Sequence, residues 1–303
     1  MKHLLSLEQL TAGEMEEILD LAATLKKQRG TRAATRHQPL RGQTWAMIFT
    51  KASTRTRVSF EVGVRELGGD VFFLSPADSQ LGRGEPIRDT ARVFGRLAHG
   101  AIIRTFAQQD VVEFAEFSGL PTINALTDEE HPCQVLADLQ TMREKLGGWE
   151  GRKVVFMGDG DNNMARSWMW AAERLGFQLV LCAPRKYQPG SGYLAKFTRG
   201  HITCETDPAR AVTGADVLYT DVFVSMGQEA EGARRLKELK AYQINGALVA
   251  QAGPQAIVMH CLPAYRGKEI TEEVLEAHAD TIFQEAENRL HAQKAVMSLL
   301  ARA

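Results

Sequence analysis

Apolar residues along this chain fall into two rhythms that take turns. Short solid runs, Trp45-Ala46-Met47-Ile48-Phe49, Val71-Phe72-Phe73-Leu74, Ala101-Ile102-Ile103 and Thr122-Ile123-Asn124-Ala125, read as buried strands. Between them come stretches at helical spacing: about Ser53 to Leu67, Ile87 to Leu97, and Val111 to Phe117. Gly68-Gly69 and Gly119-Leu120-Pro121 supply helix stops. Upstream, Thr11 and Glu14 make a capping box, followed by Met15, Ile18, Leu19, Ala22 and Leu25 on one helical face. Strand alternating with helix predicts βαβ units and a mainly parallel sheet covered on both sides.

A further helix runs from Pro132 to Leu146, with proline in its first turn, and Gly147-Gly148 ends it. There the alternation restarts. Lys153–Met157, Leu179–Cys182, Val217–Tyr219 and Ala256–Met259 read as strands, and a glycine-rich turn plus a helix to Leu175 follow the first. A last helix is expected from about Glu287 to Ala301. The expected fold is α/β: two doubly wound parallel-sheet domains, residues 1–147 and 148–286, with the helix 287–303 packing back on the first. The active site is expected in the cleft between them, at the carboxyl ends of the strands.

Length and composition fit this picture. The 303 residues suit two ordinary domains, and 44% are hydrophobic, enough for two cores. Lys plus Arg number 36 against 37 Asp plus Glu, so no basic excess points to nucleic acid, and any anion must be held by a local cluster. Cys133, Cys182, Cys204 and Cys261 show neither zinc-ligand spacing nor a disulfide framework, which favours a reducing cytoplasm. Met1-Lys2-His3-Leu4-Leu5 lacks targeting character, and no run nears the roughly 20 apolar residues of a membrane span.

Candidate chemistry gathers at strand ends. Ser53-Thr54-Arg55-Thr56-Arg57 follows a strand and opens a helix, where free N–H groups, hydroxyls and guanidiniums suit phosphate oxygens. Alone it is equally a capped helix with solvated arginines. Arg104, His131-Pro132-Cys133-Gln134 and His260-Cys261-Leu262-Pro263 lie at the same kind of edge. Gly158-Asp159-Gly160-Asp161-Asn162-Asn163 lacks the third glycine of a dinucleotide fingerprint. The acidic stretch Asp128-Glu129-Glu130 reads as a solvated loop, Arg166 as exposed, and His99, Trp168 and Trp170 as packing residues.

Together with Asp221-Val222-Phe223-Val224-Ser225-Met226-Gly227 and Glu285-Ala286-Glu287-Asn288-Arg289, these segments resemble the aspartate and ornithine carbamoyltransferase family along nearly the whole chain. Ser225-Met226-Gly227 and the cysteine of His260-Cys261-Leu262-Pro263 resemble its ornithine branch. The resemblance implies that Ser53, Thr54, Arg55, Thr56, Gln80, Arg104, His131, Gln134 and Arg289 bind carbamoyl phosphate. It places Asn163, Asp221, Ser225, Met226, Cys261 and Leu262 around L-ornithine, with Asn163 preferred over Asn162. Arg104, His131, Thr56 and Cys261 become the catalytic candidates. Cys261 stays open between a chemical role and a pocket wall. Cys133 is given no role. No metal and no organic cofactor are expected, nor a nucleic-acid or membrane partner. A homotrimer or an assembly of trimers is implied, as is a part in arginine metabolism.

The rivals are a sister enzyme for putrescine, an acylated ornithine or aspartate, a dinucleotide-dependent oxidoreductase, and a non-catalytic relative. The loop Ser225-Met226-Gly227 weighs against all three sister acceptors, and it offers no cation for the second carboxylate of aspartate.

Overall fold

A computed structural model describes residues 1–75 and 84–301. It divides into two compact units: Met1–Gln140 with Glu287–Ala303, and Thr141–Ala286. The chain leaves the first unit within one helix and returns to it within another.

Unit 1 opens with α1 (Ala12–Gln28) and the short α2 (Arg32–Arg36), then alternates β1 (Thr44–Phe49), α3 (Thr54–Glu66), β2 (Asp70–Leu74), α4 (Ile87–Leu97), β3 (Gly100–Arg104), α5 (Gln108–Ser118), β4 (Thr122–Leu126) and α6 (Pro132–Leu146). The expected capping box on α1 forms: Glu14 N–H donates to Thr11 Oγ1 at 3.2 Å, and Thr11 N–H donates back to Glu14 Oε2 at 3.0 Å. Met15, Ile18, Leu19, Ala22 and Leu25 are its buried face. The sheet runs β2-β1-β3-β4, with every pair parallel. The chain starts in β1, goes out to β2, then crosses back to β3. The switch point therefore lies between β1 and β3, where an open α/β sheet leaves a crevice beyond its strand ends.

Unit 2 repeats the plan with β5 (Lys153–Met157), α7 (Asn163–Leu175), β6 (Gln178–Cys182), α8 (Ser191–Leu194), β7 (Ile202–Glu205), α9 (Pro208–Val212), β8 (Val217–Thr220), α10 (Gly232–Leu239), α11 (Gly246–Val249), β9 (Ile257–His260), α12 (Glu272–Ala277) and α13 (Ala279–Leu300). Its all-parallel sheet has the order β7-β6-β5-β8-β9, with the switch point between β5 and β8. β3, β8 and β9 are buried at every residue, as double-sided cover requires. Trp168 is buried, with its ring 5.1 Å from that of Tyr219 and 5.9 Å from that of Phe177. Trp170 is buried too, so both tryptophans pack as expected.

Two expectations need correction. The last helix starts at Ala279, not near Glu287: α12 ends at Ala277 and only His278 separates the two helices. β7 has no counterpart in the sequence reading. It is a four-residue edge strand, paired with β6 alone and half-exposed, so it carries no apolar run.

In unit 1 the carboxyl-terminal part of α13 packs on α1 and α3. A Cβ on Gly63 would lie 3.0 Å from Met297 Cε, so glycine there lets the two helices approach closely. Lys294 Nζ donates to Glu66 Oε2 at 2.6 Å, and Lys26 Nζ to Asn288 Oδ1 at 2.8 Å. These contacts carry Arg289 to the start of α3.

Candidate active site

The unit 1 cluster grows from the β1–β3 switch point. Ser53 is the N-cap of α3, and its Oγ accepts from Thr56 N–H at 3.2 Å. Arg104 ends β3 at an irregularity in pairing with β4, the kind of break that re-aims a side chain. Thr50 N–H donates to Arg104 O at 2.8 Å, tying the strand end to the approach to Ser53. Arg289 then bridges two elements: Nη2 donates to Thr56 Oγ1 at 3.1 Å and Nη1 to Gln134 Oε1 at 2.6 Å. Gln134 Nε2 passes the link on to Asp138 Oδ1 at 2.9 Å. Thr56, Arg104, His131, Gln134 and Arg289 are all buried.

His131 has a proton affinity far below that of an ordinary histidine, through burial first and then the nearby guanidiniums of Arg289 and Arg104. It is a neutral imidazole at pH 7, able to donate one N–H to a carbonyl oxygen. Thr54 and Arg55 are exposed on the first turn of α3. Arg57 is engaged elsewhere: its guanidinium lies 3.9 Å from the centre of the Phe73 ring, and Nε donates to Glu61 at 2.8 Å. Gln80 lies outside the described residues.

The loop reading of Asp128-Glu129-Glu130 is half right. Asp128 and Glu129 are exposed, but Glu130 is buried. Lys51, two residues before Ser53, was missed altogether. It is buried, pairs with Asp128, and sits 4.2 Å from the centre of the Phe106 ring. No local pattern marks a lysine that follows a buried strand as a buried one.

The unit 2 cluster grows from the β5–β8 switch point. Asn162 is the N-cap of α7: Oδ1 accepts from Ala165 N–H at 2.8 Å, and Nδ2 donates to Asp221 Oδ2 at 3.1 Å. Asn163 is the first helical residue. Asp221 Oδ1 accepts from Cys261 Sγ at 3.0 Å and from Val222 N–H at 2.7 Å. Loss of water raises the Asp221 carboxyl above the usual value, against the Cys261 hydrogen bond, which holds it down. Ser225 and Met226 stand on the turn that follows, with Met226 exposed and Gly227 at φ 92°.

Two anchors shape this loop. Arg235 on α10 is buried, with Nε donating to Phe223 O at 2.8 Å and Nη2 paired with Asp159. Gly158 has φ +122°, and a Cβ there would lie 2.9 Å from Phe223 Cε1. Arg166 pairs with Asp161 at 3.1 Å, so it is not simply exposed.

Behind Cys261, Leu262 holds φ 56°, left-handed backbone that a branched side chain rarely adopts. Leu262 N–H donates to His260 Nδ1 at 2.9 Å, which puts the imidazole proton on Nε2, 3.2 Å from Glu269 Oε1. Glu269 also accepts from Tyr265 N–H, and Glu285 accepts from His260 N–H at 2.9 Å. His260, Glu269 and Glu285 are buried. No local sequence pattern marks this bracing, because its partners lie up to 25 residues apart.

Among the described residues, no cluster of His, Cys, Asp and Glu could hold a metal ion, and no helix is long and apolar enough to cross a membrane. The four cysteines form no disulfide with one another, and burial pushes the Cys133 thiol up to about 12.

Comparison with known proteins gives a consistent result. Residues 2–144 match the family model of the aspartate/ornithine carbamoyltransferase carbamoyl-P binding domain, and residues 150–300 that of the Asp/Orn binding domain. An ornithine carbamoyltransferase of Akkermansia muciniphila is 60% identical, covering 100% of this chain and 99% of its own. One from Methanoculleus marisnigri is 48% identical, over 98% of this chain and 96% of its own. Among solved structures, the Pyrococcus furiosus ornithine carbamoyltransferase superposes with a TM-score of 0.93 at 44% identity, covering 100% of this chain and 97% of the other. The anabolic ornithine carbamoyltransferase of Campylobacter jejuni gives 0.93 at 41%, covering 100% and 99%. The chain belongs to the aspartate/ornithine carbamoyltransferase family.

Proposed function

We propose that this protein transfers the carbamoyl group of carbamoyl phosphate to the side-chain amine of L-ornithine, giving L-citrulline and phosphate. The observation that carries this reading is the buried joint of Arg289, Thr56 and Gln134 beside neutral His131 at the start of α3. It combines fixed cations, a helix terminus and a neutral donor, which suits a phosphate joined to a small carbonyl.

Ser53, Thr54, Arg55, Thr56, Arg104 and Arg289 hold the phosphoryl oxygens, with Gln80 as a further candidate. His131 and Gln134 hold the carbamoyl end. In unit 2, Asp221 takes the α-ammonium of ornithine, and Asn163, Ser225 and Met226 its amino-acid end. Cys261 and Leu262 line the path of the side-chain amine. The loop Asp221–Gly227 carries one carboxylate and no cation, which favours an amino acid with a second ammonium over aspartate.

The amine, with an ordinary pKa of about 10.4, must shed a proton before it attacks. Its lone pair then forms the C–N bond, and the carbonyl oxygen becomes an oxyanion. Arg104, His131 and the Thr56 hydroxyl donate to that oxygen, and one such donor is worth about 3 kcal/mol. Collapse of the oxyanion re-forms the carbonyl and breaks the C–O bond, the attacking nitrogen gives its extra proton to a phosphate oxygen, and phosphate leaves into the donors that held it.

A soluble trimer in the cytoplasm, alone or in larger assemblies, is the proposed form. Exposed Val58, Phe72, Val93 and Leu97 on α3, β2 and α4 support burial against further copies. A part in arginine synthesis is supported by the anabolic description of the Campylobacter jejuni relative. Citrulline formation measured with ornithine, putrescine, N-acylornithine and aspartate tests the reaction, with sizing in solution alongside. A preference for any acceptor over ornithine would overturn it.

A further inference from the structure

The residues ahead of α1 are built into the unit 1 sheet. Leu4 makes a parallel bridge with Ile123 of β4; its N–H donates to Thr122 O at 2.9 Å, and its carbonyl accepts from Asn124 N–H at 2.7 Å. Leu5 O accepts from both Asn124 Nδ2 and Gln108 Nε2, each at 2.9 Å. Further along, Leu7 N–H donates to Glu130 Oε2 at 2.8 Å.

Glu130 immediately precedes His131, and the two share a closed turn. Thr127 N–H donates to Glu130 O at 2.9 Å, and Glu130 N–H returns to Thr127 Oγ1 at 3.2 Å. Thr127 Oγ1 donates onward to Gln108 Oε1 at 2.7 Å. His131 O then accepts from Gln134 N–H at 3.1 Å as α6 begins. The turn thus has two moorings. One is neutral and runs through Thr127 and Gln108; the other is the buried carboxyl of Glu130, which accepts from the amino-terminal segment.

We propose that Glu130 is a positioning residue for His131: its buried carboxyl fastens the histidine's turn to the amino-terminal segment, and its ionisation state sets how firmly that turn is held. The proposal rests on the reading of His131 as the group that holds the carbamoyl end.

Charge and burial give the direction. The ionisable groups facing Glu130 are Glu8 on the amino-terminal segment and Glu129 on the turn, both acidic, while the N–H groups of Leu7 and Glu8 favour the anion. Burial outweighs those donors and pushes the carboxyl up to about 8. Below that pH the group is a neutral acceptor that sits in place. Above it, a buried anion beside two acids draws water or swings out, and the turn loosens.

The test compares the full-length protein with Glu130→Gln and Glu130→Ala, measuring kcat and both KM values from about pH 6 to 10, with thermal melting at each pH. Glutamine keeps a neutral acceptor of the same shape. It should hold wild-type kcat at pH 7 and lose the decline in kcat above about pH 8. Alanine should lower kcat about 10- to 100-fold at every pH, as a displaced catalytic group does, with the KM for ornithine unchanged. An alanine variant with wild-type kcat, or a glutamine variant that keeps the wild-type alkaline decline, overturns the proposal. If alanine prevents folding, the glutamine profile decides alone. His131→Asn separates the underlying reading: if it costs less than threefold in kcat, the role given to His131 fails, whatever Glu130 does.

Discussion

Replacing Arg289 by methionine removes two charged donors from one buried point, where they reach Thr56 Oγ1 at 3.1 Å and Gln134 Oε1 at 2.6 Å. A hydrogen bond from a charged donor contributes about 1.5–3 kcal/mol, more where water is excluded. Losing it to a bound phosphoryl oxygen should lower kcat/KM for carbamoyl phosphate by about 3 kcal/mol, roughly 150-fold.

A second signature comes from His131. Burial is the main cause of its depressed proton affinity, and Arg289 is the next. Methionine deletes that second cause, so the imidazole takes up a proton at a higher pH, and the acid limb of the rate profile moves toward neutrality. The stability sign follows. A histidine kept neutral by the fold gives its full contribution above 6.5 and loses it as pH falls from there toward the folded value. In the methionine variant that losing window is narrower.

The assay is initial-rate citrulline formation against carbamoyl phosphate from about pH 5 to 9, with melting temperatures at both ends. Arg289→Lys keeps the charge but not the fork, so it should hold the wild-type acid limb while losing most of the affinity. An unmoved acid limb in Arg289→Met, with KM within threefold of wild type, would refute the reasoning.

Substitutions at three further positions probe unit 2. Asp221→Asn should raise the KM for ornithine about 10- to 100-fold, through loss of a charged hydrogen bond, and leave that for carbamoyl phosphate alone; equal rises in both would count against the assignment. Gly158→Ala meets φ +122° and Phe223 Cε1 at 2.9 Å, so it should cost about 2–4 kcal/mol in denaturant unfolding, and an unchanged midpoint would contradict that geometry. Glu269→Leu leaves His260 Nε2–H and Tyr265 N–H buried without their acceptor, a loss of about 2–5 kcal/mol. Glu269→Gln retains an acceptor and should lose less, and similar melting of the two variants would argue against the bracing role.

Most of the scaffold was legible because its signals are local. Thr11 and Glu14 are three residues apart, Ser53 caps the helix it begins, and the central strands carry unbroken apolar runs. β7 was hidden because an edge strand needs no apolar run, and the start of α13 because one residue separates it from α12. In the candidate site, residue types were readable at strand ends, but their bracing was not. Lys51 meets Asp128 across 77 positions, and Leu7 meets Glu130 across 123. Glu130 illustrates the reason: in sequence it is one of three consecutive acids, and only the approach of the amino-terminal backbone makes it a buried group.

The discontinuity of unit 1 bears on how the chain is made. Thr141–Ala286 is one uninterrupted stretch, so unit 2 can close as soon as it has emerged from the ribosome. Unit 1 cannot, because Arg289, Lys294 and Met297 are added only after all of unit 2 has been made. At about 5–20 residues per second, its first 140 residues wait roughly 7–30 s with the seat for the end of α13 uncovered. The joint of Thr56, Gln134 and Arg289 is therefore assembled only after unit 2 has been made, and a nascent chain halted between Ala286 and Arg289 would hold a complete unit 2 beside an unfinished unit 1.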